Sequence, residues 1–253
     1  MPSSALSLRR HTLHSYGIAL VFAMLASTNV YNAQAATLSE AKEAAASGRI
    51  ADALAIYQTL AAQGDAKAQF NLGTMYMNGE GVVADKQQAL DWYRKSAEAG
   101  YAEAQYTLGV LYFRPEMVGT PDYTGAIAWY KKAAEQGHEK SQLNLGIIYF
   151  RGDVIEPDYP QSARWYVMAA EQGNAEAQYN LGVMYANAEG IPADLPRGYM
   201  WLKMASENQD ASARRMQKRL HMLAFVGAKM SAEQKAEGEA LALKCKQQQG
   251  RAC

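Results

Sequence analysis

Ala102-Glu-Ala-Gln-Tyr-Thr-Leu-Gly109 returns 73 residues later as Ala175-Glu-Ala-Gln-Tyr-Asn-Leu-Gly182, and Leu72-Gly73 and Leu145-Gly146 mark two further periods. Successive Leu-Gly pairs stand 36 or 37 residues apart. Other positions keep the register. Tyr76, Tyr112, Tyr149 and Tyr185 follow the glycines by three residues, and Asp85, Asp122, Asp158 and Asp194 come nine or ten residues later. Trp92, Trp129, Trp165 and Trp201 stand seven beyond the aspartates. A period of this size marks a linear stack of modules, each too small to bury its apolar face alone. The second module's additional residue falls in the segment 113–121, between two expected helices, where a longer loop costs little.

Each module reads as two amphipathic helices. In the first, Ala68, Leu72, Met75 and Tyr76 share one side of a helix over 66–78 that Gly79 stops. The second starts after Asp85, whose carboxylate caps free N–H groups, with Gln88 placed to complete a capping box. Asp158 and Gln161 repeat that pattern, whereas Asp122 and Asp194 lack the partner. Ala89, Trp92, Tyr93, Ser96 and Ala97 then form one buried face, and Gly100, Gly137 and Gly173 end the first three such helices. The fourth ends at Ser206-Glu207-Asn208. A glycine inside a helix costs about 1 kcal/mol against alanine. Gly73, Gly109, Gly146 and Gly182 therefore call for a tryptophan or tyrosine of the second helix lying close over them.

These residues carry a family resemblance. The two octapeptides, together with Gly-Glu-Gly-Val and Trp-Tyr-Arg-Lys-Ser-Ala-Glu-Ala-Gly in the first module, resemble Sel1-like repeats, relatives of tetratricopeptide repeats. The resemblance implies an all-α, right-handed superhelical solenoid of helix-turn-helix repeats. Four repeats are expected at 66–100, 101–137, 138–173 and 174–209, with a capping helix pair in 36–65 and capping helices and a tail in 210–253. Thr37 with Glu40 and Ser231 with Gln234 read as capping boxes; the C-terminal helices are expected over 211–223 and 231–244. Two loops depart from the family pattern: 113–119 lacks the glycine-rich sequence, and Ala188 stands where Gly79 and Gly152 stand.

The first helices of such stacks line the concave surface, so the resemblance places a partner-binding stripe on them. In this chain it comprises Lys67, Phe70, Thr74 and Met77; Glu103, Tyr106, Val110 and Phe113; Lys140, Leu143, Ile147 and Phe150; and Glu176, Tyr179, Val183 and Ala186. Each line begins charged and turns apolar, which suits a polypeptide segment laid in a groove. Burial of the stripe against the neighbouring module is the competing reading.

Arg9-Arg10, the short apolar run 16–26 and Ala33-Gln34-Ala35 read as a cleavable signal peptide over 1–35, with Ala36 as the mature start and a periplasmic or secreted destination. The general secretory route fits better than twin-arginine export. Arg9 and Arg10 are the leader's only charged side chains, leaving 23 basic and 25 acidic residues beyond it. That near-balance argues against nucleic acid as a partner, and no later apolar run is long enough to span a membrane. Cys245 and Cys253 either close a small terminal loop or remain two thiols on the tail.

Chemistry is sparse in this pattern. His138 and His221 have no second ligand at metal-binding spacing, so no metal and no cofactor are expected, and the chain is expected to be a monomer without catalysis. Ser39-Glu40-Ala41-Lys42 satisfies the S-x-x-K pattern of serine β-lactamases, but the companion S-D-N and K-T-G elements are missing from the sequence. A β-lactamase-like or cell-wall-active hydrolase is thus the competing class, and a regulator of a peptidoglycan-cleaving enzyme a variant of the scaffold. Arg214, Arg215, Lys218 and Arg219 make a basic stripe facing an anionic surface or solvent; compensation by Glu233, Glu237 and Glu239 favours solvent.

Overall fold

A computed structural model describes residues 37–208, 213–248 and 253, so the expected leader 1–35 and mature start Ala36 lie outside the described residues. Among the described residues there are thirteen helices and no strand. α1 (Leu38–Ala46) and α2 (Ile50–Ala62) form the first hairpin. Four longer pairs follow: α3 (Ala66–Asn78) with α4 (Lys86–Glu98), α5 (Ala102–Tyr112) with α7 (Tyr123–Glu135), α8 (Glu139–Arg151) with α9 (Tyr159–Glu171), and α10 (Ala175–Asn187) with α11 (Leu195–Glu207). The short α6 (Pro115–Val118) fills the loop between α5 and α7. The chain closes with α12 (Ala213–Gly227) and α13 (Ala232–Gln247); residues 211 and 212 of the expected helix lie outside the described residues.

Buried side chains fall into five clusters strung along the chain, the distribution of a solenoid. Leu72, Leu108, Leu145 and Leu181, one per repeat, are all at most 1% exposed. The adjoining glycines permit close helix contact: a Cβ at Gly73 would meet the Tyr93 ring at 2.9 Å, and Tyr130 and Tyr166 lie still closer over Gly109 and Gly146. Tyrosine, not tryptophan, is the aromatic that fills this space.

Asp85, Asp122, Asp158 and Asp194 cap α4, α7, α9 and α11, accepting from the N–H groups of Gln88, Gly125, Gln161 and Arg197 at 2.8–3.0 Å. The capping box expected at Asp85 and Asp158 does not form. Each aspartate's own N–H already donates to the carbonyl of the repeat tyrosine, Tyr76, Tyr112, Tyr149 or Tyr185, at 2.9–3.1 Å. Gln88 instead donates its amide to the Asp85 carboxylate at 3.0 Å. At Thr37 and Ser231 the N–H has no such partner; Glu40 and Gln234 reach back to it, and both boxes form. Ala188, the one non-glycine at positive φ among the described residues, keeps the left-handed turn (φ 56°) that Gly79 and Gly152 make elsewhere.

The last two helices both pack on α11. α12 runs antiparallel to it, with Arg219 Nη1 donating to the Ala205 carbonyl at 3.2 Å and Val226 beside Tyr199 and Leu202. α13 runs alongside in parallel, Gly238 against the Pro196 carbonyl, Glu239 near Lys203 at 3.6 Å, and Lys246 paired with Glu207.

Candidate partner-binding face

The stripe residues lie on one side of α3, α5, α8 and α10. Lys67 and Lys140 are exposed; Phe70, Thr74, Met77, Tyr106, Val110, Phe113, Leu143, Ile147, Phe150, Tyr179 and Val183 are all half-buried. They are not wholly separate from the core. Phe70 packs on Tyr93 of its own pair at 5.3 Å and on Tyr101 of the next at 5.4 Å between ring centroids. Tyr106 lies 6.0 Å from Tyr130 and 4.7 Å from the His138 ring. Phe113 meets Tyr123 at 5.1 Å, and Phe150 meets Tyr159 at 5.6 Å. Tyr123 and Tyr159 remain 39% and 38% exposed and extend the aromatic strip. Both directly follow a capping aspartate, in the second and third modules alone; Lys86 and Leu195 hold that place in the first and fourth.

Polar contacts tie successive first helices together along this face. His138 caps α8, its Nδ1 accepting from the Ser141 N–H at 3.2 Å, which leaves the proton on Nε2, 3.2 Å from Glu103. Asn174 does the same for α10, its amide reaching Glu139. Behind them runs a glutamine relay. Gln105 donates to the Ala97 carbonyl at 3.0 Å and accepts from Gln136 at 2.8 Å; Gln142 donates to Ala134 at 3.0 Å and accepts from Gln172 at 2.6 Å.

Burial sets the electrostatics of the tyrosines beneath the stripe. Desolvation pushes Tyr130 up to about 12 and Tyr166 higher still, against weaker opposition from hydrogen bonds to Asn144 and Asn180 of the following module. Tyr93 rises for the same reason, offset by its 3.2 Å contact with Thr74. These phenols stay neutral hydrogen-bonding groups.

At the fourth module the stripe meets the chain's own C-terminal helix. Lys218 stands over the Tyr179 ring, 4.7 Å from its centroid, and a cleft of about 90 Å³ lies between Glu176, Tyr179, Asn180, Arg215, Lys218 and Arg219. Desolvation lowers the Arg219 pKa, and the charge of Glu176 works against that shift. The expected compensation of the basic cluster by Glu233, Glu237 and Glu239 is not what the fold provides: Glu233 bonds Ser231, Glu239 bonds Tyr199 and Lys203, and α13 lies on another side of α11.

Cys245 and Cys253 are joined, with Cα atoms 5.1 Å apart, and Cys245 is buried beside Trp201 and Ala242. Ser39 and Lys42 sit exposed on the first turns of α1, and His221 is exposed on α12. No group of three His, Cys, Asp or Glu side chains able to hold a metal occurs among the described residues.

A family model described as Sel1 repeat matches residues 66–101, 102–138, 139–174 and 175–210. Among solved structures, the chain is similar to a protective antigen present in uropathogenic Escherichia coli strains, at 34% identity and TM-score 0.61 over 76% of this chain. The chain spans 40% of that antigen's length. It is also similar to a Sel1 repeat protein from Oxalobacter formigenes, at 33% identity and TM-score 0.58, covering 67% of this chain and 76% of that one. No curated protein matches the chain.

Proposed function

The chain belongs to the Sel1 repeat family, and from that premise we propose that it is an exported, non-catalytic scaffold that holds a partner polypeptide along the shared face of its first helices. Sel1-repeat proteins are in general protein-interaction scaffolds, and no helix among the described residues is long and apolar enough to cross a membrane. One observation carries the choice of face. After every module has packed on its neighbours, the stripe from Phe70 to Phe150 is still half-exposed, while the leucines on the adjoining side of the same helices are sealed. A continuous apolar and aromatic strip of this kind, edged by Lys67 and Lys140, fits an extended segment or helix of another protein. Export rests on the leader pattern in residues 1–35, and the envelope setting follows from it.

Photo-crosslinking tests the face. A benzoylphenylalanine at Lys67 or Lys140 should trap one discrete polypeptide from envelope extracts, and the same group at Lys131, exposed on α7, should not. Equal trapping from both sides, or none from the stripe, would sink the assignment.

A further inference from the structure

We propose that α12 docks the protein on an anionic lipid surface. Arg214, Lys218, His221 and Phe225 recur at i, i+4, i+7 and i+11, one line along the helix, Lys229 follows in the turn just past its C-terminus, and all five are exposed. Phe225 on this line is 48% exposed, and Leu220, 50% exposed, stands about 100° round the helix from His221, at the edge of the exposed arc. The opposite side, with Arg219 and Val226 buried and Met222 and Leu223 packed beside them, fixes the helix to α10 and α11. The outward line is therefore held on a rigid support.

Glu176, in the cleft with Arg215, Lys218 and Arg219, faces the inner side of the helix and leaves the outward line largely unpaired among the described residues. Residues 213–232 hold five of the chain's 25 Lys and Arg side chains and none of its 25 Asp and Glu. Among the described residues no carboxylate forms an ion pair with Arg214, Lys218 or Lys229; the ion-paired glutamates near this end, Glu239 and Glu207, face Lys203 and Lys246. A soluble polyanion would ask for the cations alone. The half-exposed leucine and phenylalanine, with the Lys229 ammonium 4.1 Å from the Phe225 ring centroid, match instead the boundary between headgroups and acyl chains. Docking through one helix face is peripheral, and no membrane-spanning element is involved.

Vesicle co-sedimentation of the full chain decides it. Binding is expected to vesicles containing phosphatidylglycerol and not to phosphatidylcholine alone, and to weaken with salt. Arg214→Glu with Lys229→Glu should weaken it about thirtyfold or more. Leu220→Ser with Phe225→Ser should weaken it severalfold with an unchanged melting curve. Should the charge-reversed pair fail to fold, Arg214→Gln with Lys229→Gln supplies the same comparison. Equal binding to both vesicle types, no binding to either, or wild-type binding by the serine pair would overturn the proposal, the last outcome pointing to adhesion by charge alone.

Discussion

The first three repeats and the fourth set the same helix glycine against different neighbours. Gly73, Gly109 and Gly146 lie under tyrosine rings, whereas Gly182 lies against Leu202 and the Gly198 carbonyl. In register, Leu202 replaces Tyr93, Tyr130 and Tyr166, and Gly198 replaces Ala89, Ala126 and Ser162. Two large-to-small changes bring α10 and α11 backbone to backbone. α11 also carries α12 and α13 on its remaining sides, and Trp201 is 1% exposed where Trp92, Trp129 and Trp165 stay half-buried. An internal repeat is covered by the next copy of itself; the last has no next copy, so its second helix becomes an interior helix enclosed by non-repeat sequence.

Substitution at the glycines should separate the two arrangements most strongly. Gly182→Leu forces a side chain onto backbone and should cost about 3 kcal/mol, lowering the melting temperature by about 6–12 °C. Gly146→Leu meets the side chain of Tyr166 and not backbone, so about 2 kcal/mol and 4–8 °C are expected. Thermal unfolding followed by circular dichroism gives the order. A reversed order would mean that ring and backbone contacts do not differ as argued.

Alkaline pH offers a second contrast. Burial raises the folded-state pKa of Tyr130 to about 12, and that of Tyr166 further, above the ordinary value of 10.0. Between those values the folded protein keeps phenolic protons that the unfolded chain has released. The stabilisation from these tyrosines is complete below pH 10 and is lost as pH rises from about 10 through 12. Denaturant midpoints measured from about pH 8 to 11 should stay nearly level to about pH 10 and then fall steeply in the wild type. Tyr130→Phe with Tyr166→Phe should flatten the fall, while Leu202→Met in the fourth repeat should leave its slope alone. An equally steep fall without the two phenols would show that other groups drive it.

What was legible in the sequence tracks what repeats. Helix pairs, tyrosine-to-aspartate spacing and aspartate caps recur four times, and each recurrence constrains the others. The capping boxes expected at Asp85 and Asp158 fail because they depend on where one backbone N–H points, and the tyrosine carbonyl that claims it lies nine residues back in the chain. The placement of α12 and α13 was illegible for the opposite reason: they occur once, so no register reveals that Glu239 turns to Lys203 and not to the arginines nearer in sequence. In the stripe, periodicity identified the residues sharing a helix side, but not that Tyr101, Tyr123 and Tyr159 would lean on them from neighbouring segments.

The smallest effect expected concerns a difference inside the repeats themselves. Gln69 donates to the Ala61 carbonyl at 3.2 Å as its counterparts do, yet its Oε1 is buried without a hydrogen-bond partner. Gln136 and Gln172, the donors that complete the relay in the second and third repeats, are C-caps of α7 and α9, and the corresponding C-cap of α4 is Ala99. Ala99→Gln should extend the relay to the first repeat. Satisfying a buried acceptor is worth about 1 kcal/mol, or roughly 2–4 °C in melting temperature, less the entropy of ordering the new side chain. Ala99→Glu has nearly the same shape but no donor, and at neutral pH it sets a carboxylate against the Gln69 oxygen. The glutamine variant should therefore melt above wild type and the glutamate variant at or below it. If both shift alike, the change comes from the helix terminus and not from the amide relay.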